Sequence, residues 1–256
     1  RRAHMAGGDL NAGLLDSADA EAVSAQDGFM VWVNREVGGR VKKLGEVQCS
    51  LTETGIILGT SLLLAEDIAG LQDGGEATLL VHSFPQQRMG CFGGRERAPE
   101  RHELLFNGAT GEAEKARWLA EWRALWGRAQ LKKVLVLVNP AGGRGKAAGI
   151  WSDVASKVFE CAGVGVELVE TTHQGHAQEF AAAADLSDVD GIVCVSGDGL
   201  LIEVINGLLV RSDSQSIVGK VPLGIIPAGS GNGLAMSLLA RSGEKCHVIS
   251  AALAIV

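Results

Sequence analysis

Three glycine-rich turns, each fed by a short apolar run, fall in the second half of this 256-residue chain. They are Val138-Asn139-Pro140-Ala141-Gly142-Gly143-Arg144-Gly145-Lys146, Ser196-Gly197-Asp198-Gly199 and Pro227-Ala228-Gly229-Ser230-Gly231-Asn232. Glycine lets the main chain approach a ligand closely and offers amide N–H groups with no side chain in the way. Three such turns at neighbouring strand ends would surround one anionic group, and a triphosphate is the natural candidate.

Around these turns the rhythm is strand, turn, helix. Val134–Val138, Val164–Val169, Gly191–Val195 and Val221–Ile226 read as apolar strands. They alternate with helices expected over Ala147–Ala162, His176–Ala184, Leu200–Val210 and Leu234–Leu239. Such alternation predicts an α/β domain whose parallel sheet is covered on both faces and binds ligands at the carboxyl ends of its strands.

Before a boundary expected at Ala129–Lys132 the pattern is different. Phe29–Asn34, Arg40–Glu46, Gln48–Leu51, Gly55–Leu58, Ser61–Ala65, Ala77–Phe84 and His102–Asn107 are strand-like pieces separated by turn residues. A helix over Glu112–Arg128 then carries Trp118, Trp122, Leu125 and Trp126 along one apolar face. The expectation is a small β sandwich or barrel plugged by that helix, with the tryptophan stripe as core.

Composition narrows the function classes. A formal net charge of -7 argues against generic binding to nucleic acid. No run approaches the roughly 18–20 apolar residues of a membrane span. Residues 1–27 lack the apolar stretch of a signal peptide and read as a disordered tail. The apolar segment Val248–Val256 stops without a cap or turn, so the chain reads as a fragment. Five scattered cysteines, none in a CxxC pair, read as reduced thiols of an intracellular protein, with Cys194 inside a strand.

The first turn fails as a Walker A loop, because Pro140 and Ala147 stand where Gly and Ser/Thr are needed. Gly143, Gly145 and Ala148 match a dinucleotide fingerprint, with Glu167 and Glu170 downstream, but that match ignores the other two turns. A ligand-free strand-to-helix turn is the plain alternative for any one loop taken singly.

In the second turn Asp198 stands between two glycines at a strand end, with nothing to hide its carboxylate. There it can accept a proton from an attacking hydroxyl or hold Mg²⁺, and Glu203 can reinforce either role. Helix N-capping is the competing role for Asp198, and a plain helix-start residue the one for Glu203. The third turn can donate backbone and Ser230 hydroxyl hydrogen bonds to phosphate oxygens.

Val136-Leu137-Val138-Asn139-Pro140 with Gly142-Gly143 and Gly145-Lys146, Ser196-Gly197-Asp198-Gly199-Leu200 with Glu203-Val204 and Asn206-Gly207, and Pro222-Leu223 with Pro227-Ala228-Gly229-Ser230-Gly231-Asn232 resemble the diacylglycerol kinase catalytic domain. The likeness is greatest to its sphingosine (long-chain base) and ceramide kinase members. It implies an ATP- and Mg²⁺-dependent lipid kinase over residues 131–256, lacking the β-sandwich half that would follow.

By position, the resemblance places Asn139, Pro140, Gly142, Gly143, Gly145, Thr171 and Thr172 against ATP. Gly229, Ser230 and Gly231 would lie at the phosphates and Ser196, Gly197 and Gly199 at the reacting end, with Glu203 and Asn232 as further cofactor-binding candidates. Asp198 would be the base that activates the lipid hydroxyl, and the one residue expected at the metal.

Residues 28–129 are similar to a pleckstrin-homology-like domain, in which Arg35, Arg40, Lys42 and Lys43 would meet an anionic membrane surface. The resemblance implies phosphorylation of a sphingoid base by a cytoplasmic protein held peripherally on membranes. Ceramide or diacylglycerol as acceptor, or a membrane-docking adaptor with an inactive kinase half, are the rival readings.

Overall fold

The computed structural model describes residues 13–14, 28–88, 95–126 and 133–256. The expected boundary at Ala129–Lys132, the end of the helix at Gly127 and Arg128, Cys91, and most of the expected tail lie outside them. The chief division of the chain falls between Trp126 and Lys133.

The N-terminal unit is built on an eight-stranded sheet. Its strands are β1 (Gly13–Leu14), β2 (Phe29–Val37), β3 (Arg40–Thr52), β4 (Gly55–Leu58), β5 (Ser61–Leu64), β6 (Ile68–Asp73), β7 (Thr78–Ser83) and β10 (Glu100–Phe106). They run in the order β1-β5-β4-β3-β2-β10-β7-β6, while β8 (Gln86–Arg88) and β9 (Arg95–Arg97) pair separately. Within the segment read as a disordered tail, Gly13 and Leu14 pair with Leu62 and Ser61. That edge pairing is made by backbone groups, which leave no mark on composition.

The two strands expected at Arg40–Glu46 and Gln48–Leu51 are one strand, β3. Val33 pairs with Gly45 and Asn34 with Lys43, so Leu44 is the extra residue of a bulge and Gly45 takes φ +88°. Gly45 therefore bends a strand that continues through Val47, where the sequence reading placed a break.

Strand alternation decides what the sheet buries. Phe29, Val31 and Val33 of β2, Leu79 and Val81 of β7, and Leu104 and Phe106 of β10 turn to one face. Helix α1 (Gly111–Trp126) closes that face, with Trp118 fully buried edge-on to Phe106 at 6.4 Å. Truncating such a side chain costs roughly 3–5 kcal/mol. The stripe is core only at Trp118: Trp122 and Trp126 are half-buried, and Leu125 is exposed.

The C-terminal unit is a four-stranded parallel sheet in the order β12-β11-β13-β14. These strands are β11 (Lys133–Val138), β12 (Gly165–Glu170), β13 (Gly191–Ser196) and β14 (Leu223–Pro227). Helix α2 follows β11, running through Ala147–Ile150, a π turn over Trp151–Ala155, and Ser156–Cys161. Then come α3 (His176–Ala183), α4 (Asp198–Leu209), α5 (Ser214–Lys220), α6 (Gly233–Arg241) and α7 (Val248–Ile255).

The central strands are apolar because both faces are covered. Leu135, Leu137, Ile192 and Cys194 pack with Ala177, Ala181, Leu200, Val204 and Leu208 of α3 and α4. Gly207 permits that approach, since a Cβ there would lie 2.3 Å from the Gln178 carbonyl oxygen. Burial pushes the Cys194 thiol up to about 12, which leaves it a core residue and not a nucleophile.

The expectation of a sheet covered throughout fails at β12. Val166 and Leu168 are 40% and 46% exposed, because an edge strand with one neighbour lies beyond the reach of the covering helices. Helix α5 was not foreseen, since Ser214-Gln215-Ser216-Ile217-Val218-Gly219-Lys220 lacks a clear apolar period.

Chain order fixes where a ligand fits. From β11 the chain steps to β12 on one side, then crosses to β13 on the other. Such a reversal opens a crevice at the carboxyl ends of the strands beside it. The turns after β11 and β13 flank that crevice.

Candidate active site

The three turns meet one another. Asn139 donates its N–H to the Val195 carbonyl at 3.4 Å, and Ala228 donates to the Ser196 carbonyl at 3.1 Å. Thr171 donates to the Val138 carbonyl at 2.8 Å, which brings the end of β12 to the root of the first turn. Asn139 shapes that turn, its Oδ1 accepting the Ala141 N–H at 3.0 Å. Gly143 (φ +59°), Arg144 (φ +62°) and Gly145 (φ +79°) then follow in the left-handed region.

The glycines divide into two kinds. A Cβ on Gly143 would lie 1.9 Å from the Ala228 carbonyl oxygen, and one on Gly142 would lie 2.9 Å from Ser196 Oγ. A Cβ on Gly229 would lie 2.3 Å from Gly197 Cα. These four positions are glycine because the turns pack directly on each other. Gly145, Gly199 and Gly231 have nothing within 4 Å of an added Cβ, so their main chain borders open space. Close approach to a ligand, the reason expected for all of them, fits only this second group.

Asp198 is placed differently from the sequence expectation. It is the first residue of α4, not part of a loop before Leu200, because Gly197 takes the extended conformation and the helix begins directly after it. Its carboxylate is not left bare. Oδ2 accepts the Gly233 N–H at 2.8 Å and Oδ1 accepts the Leu234 N–H at 3.1 Å. Asp198 thus caps α6 from the end of the neighbouring strand, where Asn232 in the N-cap position makes no side-chain cap bond of its own. Each carboxylate oxygen keeps a second lone pair for another partner.

Asn232 is occupied within its own turn. Its Oδ1 accepts the Gly229 N–H at 2.9 Å and its Nδ2 donates to the Gly229 carbonyl at 3.1 Å. The amide therefore shapes the loop, and the exposed apex is left to Ser230 and Gly231. Ser196 is buried at the end of β13, with its hydroxyl beneath Gly142. Pro140 is half-buried in the first turn, Thr171 is half-buried at the end of β12, and Thr172 is exposed. Glu203 stands five residues beyond Asp198, which turns it about 140° around α4 and away from the capped end.

Sequence reasoning missed Ala228, Gly233 and Leu234 as working parts of this arrangement. They act through three main-chain N–H groups, which residue identity does not encode. No sequence signal marked them, because Asn232 stands at the N-cap of α6 and reads as its cap.

Residues 133–255 match the diacylglycerol kinase catalytic domain. Sphingosine kinase 1 of Arabidopsis thaliana is 42% identical over 157 residues, covering 61% of this chain and 32% of that protein. Sphingoid long-chain bases kinase 1 of the same plant is 28% identical over 303 positions, covering all of this chain and 38% of the relative. Human mitochondrial acylglycerol kinase is 38% identical over 129 residues, covering 50% of this chain and 30% of that protein. The chain spans about a third of the length of these relatives. With three interlocked glycine turns at the carboxyl edge of a parallel sheet, residues 133–255, just under half of the chain, are similar to the diacylglycerol kinase catalytic domain.

Proposed function

We propose that the protein is a lipid kinase that transfers the γ-phosphoryl group of ATP to the primary hydroxyl of a sphingoid long-chain base. The observation that carries this reading is the position of Asp198, which joins the second turn to the third beside the open main chain of Gly145, Gly199 and Gly231. The relatives named sphingosine kinase and sphingoid long-chain bases kinase support the choice of acceptor.

In this reading the Asn139–Gly145 turn, the Thr171-Thr172 segment and the Gly229–Gly231 turn hold the polyphosphate, and Ser196, Gly197 and Gly199 border the reacting end. Asp198 takes the proton of the acceptor hydroxyl as its oxygen attacks the γ-phosphorus and ADP leaves. Catalysis is then largely placement and charge neutralisation.

Among the described residues no group of three or more His, Cys, Asp or Glu could hold a metal by itself. That fits Mg²⁺, which commonly binds through one or two carboxylates together with substrate phosphates, and Asp198 is the residue that would hold it. When bound, the ion neutralises charge on the phosphate oxygens.

Residues 28–129 are proposed as a pleckstrin-homology-like module and residues 131–256 as the nucleotide-binding part of the kinase. Exposed Arg40, Lys42 and Lys43 would meet an anionic membrane, each adding on the order of 1 kcal/mol, and the protein would work at the cytoplasmic face. Arg35 drops out of that group: its guanidinium is paired with buried Glu100 at 2.7 and 3.0 Å. Among the described residues no helix is long and apolar enough to cross a membrane.

A second acceptor class keeps its place because human acylglycerol kinase is among the relatives. Transfer of labelled phosphate by the full-length protein to sphingosine, phytosphingosine, ceramide, diacylglycerol and monoacylglycerol tests both. Labelling of sphingoid bases supports the proposal, labelling of a glycerolipid or ceramide alone redirects it, and no labelled lipid overturns it.

A further inference from the structure

Resting on this kinase reading, we infer that His176 is a positioning residue, whose neutral imidazole holds the Thr171-Thr172 segment in place at the carboxyl edge of the sheet. The Thr172 N–H donates to His176 Nδ1 at 3.1 Å. Acceptance at Nδ1 puts the ring proton on Nε2, so the imidazole is neutral.

Around this bond lies a closed local network. Thr172 Oγ1 is 3.0 Å from His173 Nδ1 and 3.4 Å from His176 Nδ1, while His173 Nε2 is 3.3 Å from Glu179 Oε2. The two imidazoles stack with centroids 5.0 Å apart and planes 16° apart. Thr172 thereby meets both rings, its main-chain N–H at His176 and its hydroxyl at His173.

The geometry explains why the acceptor comes from residue 176. Gly175, with φ +88°, occupies the N-cap of α3 and has no side chain with which to cap it. His176, the first residue of α3, reaches back over the turn instead. Helix α3 is itself locked onto α4 at Gly207, so the acceptor is mounted on a rigid element. The other end of the turn is tied to β11 by the Thr171 N–H. His176 thus fixes the free side of a segment whose root adjoins Asn139.

The test uses variants that move the acceptor. In His176→Asn the side-chain oxygen falls near the place of Nδ1, in His176→Gln near that of Nε2, and His176→Ala has none. Amide hydrogen exchange at Thr172 is measured in the full-length protein, together with KM for ATP and kcat. Expected are slow exchange in wild type and Asn, faster exchange in Gln and Ala, and an ATP KM raised about fivefold in Gln and Ala alone, the effect of one hydrogen bond. Changes in kcat should stay within twofold. Equal behaviour of Asn and Gln, in exchange or in KM, overturns the inference. If wild type transfers no phosphate, the kinase reading falls, while the exchange pattern still decides whether His176 holds the turn.

Discussion

Asp198 and Gly233 are 35 residues apart in sequence and joined by a 2.8 Å hydrogen bond from the Gly233 N–H to Oδ2. With the Leu234 N–H on Oδ1, the bond makes the candidate base the cap of a helix that starts on the opposite turn. One carboxylate therefore orders the third turn, and in the proposed mechanism the same group takes the proton.

Replacing Asp198 by Asn separates these duties. The amide keeps one acceptor for α6 but lacks the basicity to take a proton, so kcat should fall by at least about a hundredfold. KM for ATP should stay within threefold. Loss of one cap bond should lower stability by about 1 kcal/mol, read from a urea titration. Turnover near the wild-type level would remove Asp198 from the chemistry.

The two kinds of glycine should respond differently to a methyl group. Gly143→Ala drives Cβ into the Ala228 carbonyl from a left-handed backbone, and should destabilise the protein by about 1–3 kcal/mol. Gly231→Ala meets nothing within 4 Å, so its unfolding midpoint should barely move while KM for ATP rises. Equal losses of stability would contradict the division.

His102 gives the N-terminal unit a pH dependence. Burial lowers its imidazole to about 4, with Arg35 adding to the fall and Glu100 opposing it. Neither His102 Nδ1 nor the nearby buried Ser83 Oγ has a hydrogen-bond partner. The unfolded chain takes up a proton near 6.5, the folded one only near 4, so the neutral ring's contribution is full above 6.5 and is lost as pH falls towards 4. Denaturant titrations at pH 7.5 and 4.5 should differ by about 2.5 kcal/mol from this residue. His102→Leu should flatten that difference, and an unchanged slope would refute the assignment.

Basic residues around the β2–β3 hairpin should fall into two classes. Arg35→Ala leaves buried Glu100 without its cation and should cost on the order of 2 kcal/mol, less than for a fully buried pair because Arg35 is one-third exposed. Arg40→Ala and Lys42→Ala should leave stability unchanged and weaken sedimentation with anionic vesicles. Vesicle binding that survives both surface substitutions would rule out this hairpin as the docking face.

The sequence made the parallel sheet legible because Val134–Val138 and Gly191–Val195 are continuous apolar runs ending in glycine turns. It also singled out Asp198, through its two flanking glycines. The partners of Asp198 were hidden, since any residue can supply a main-chain N–H. Arg35 was read with its hairpin neighbours because Glu100 is 65 residues away, and only the strand pairing of β2 with β10 brings the two together. Leu44 was invisible as a bulge, because a strand with one surplus residue has the same composition as two strands and a turn.

Asn232 followed by Gly233 is the dipeptide most prone to ageing, in which the glycine nitrogen attacks the asparagine side chain, ammonia departs and a succinimide ring closes. Here the attacking nitrogen is tethered by Asp198 and the target amide is pinned to Gly229. The same contacts that assemble the crevice therefore slow its chemical decay, and a chain that loses them would wear out first at this corner.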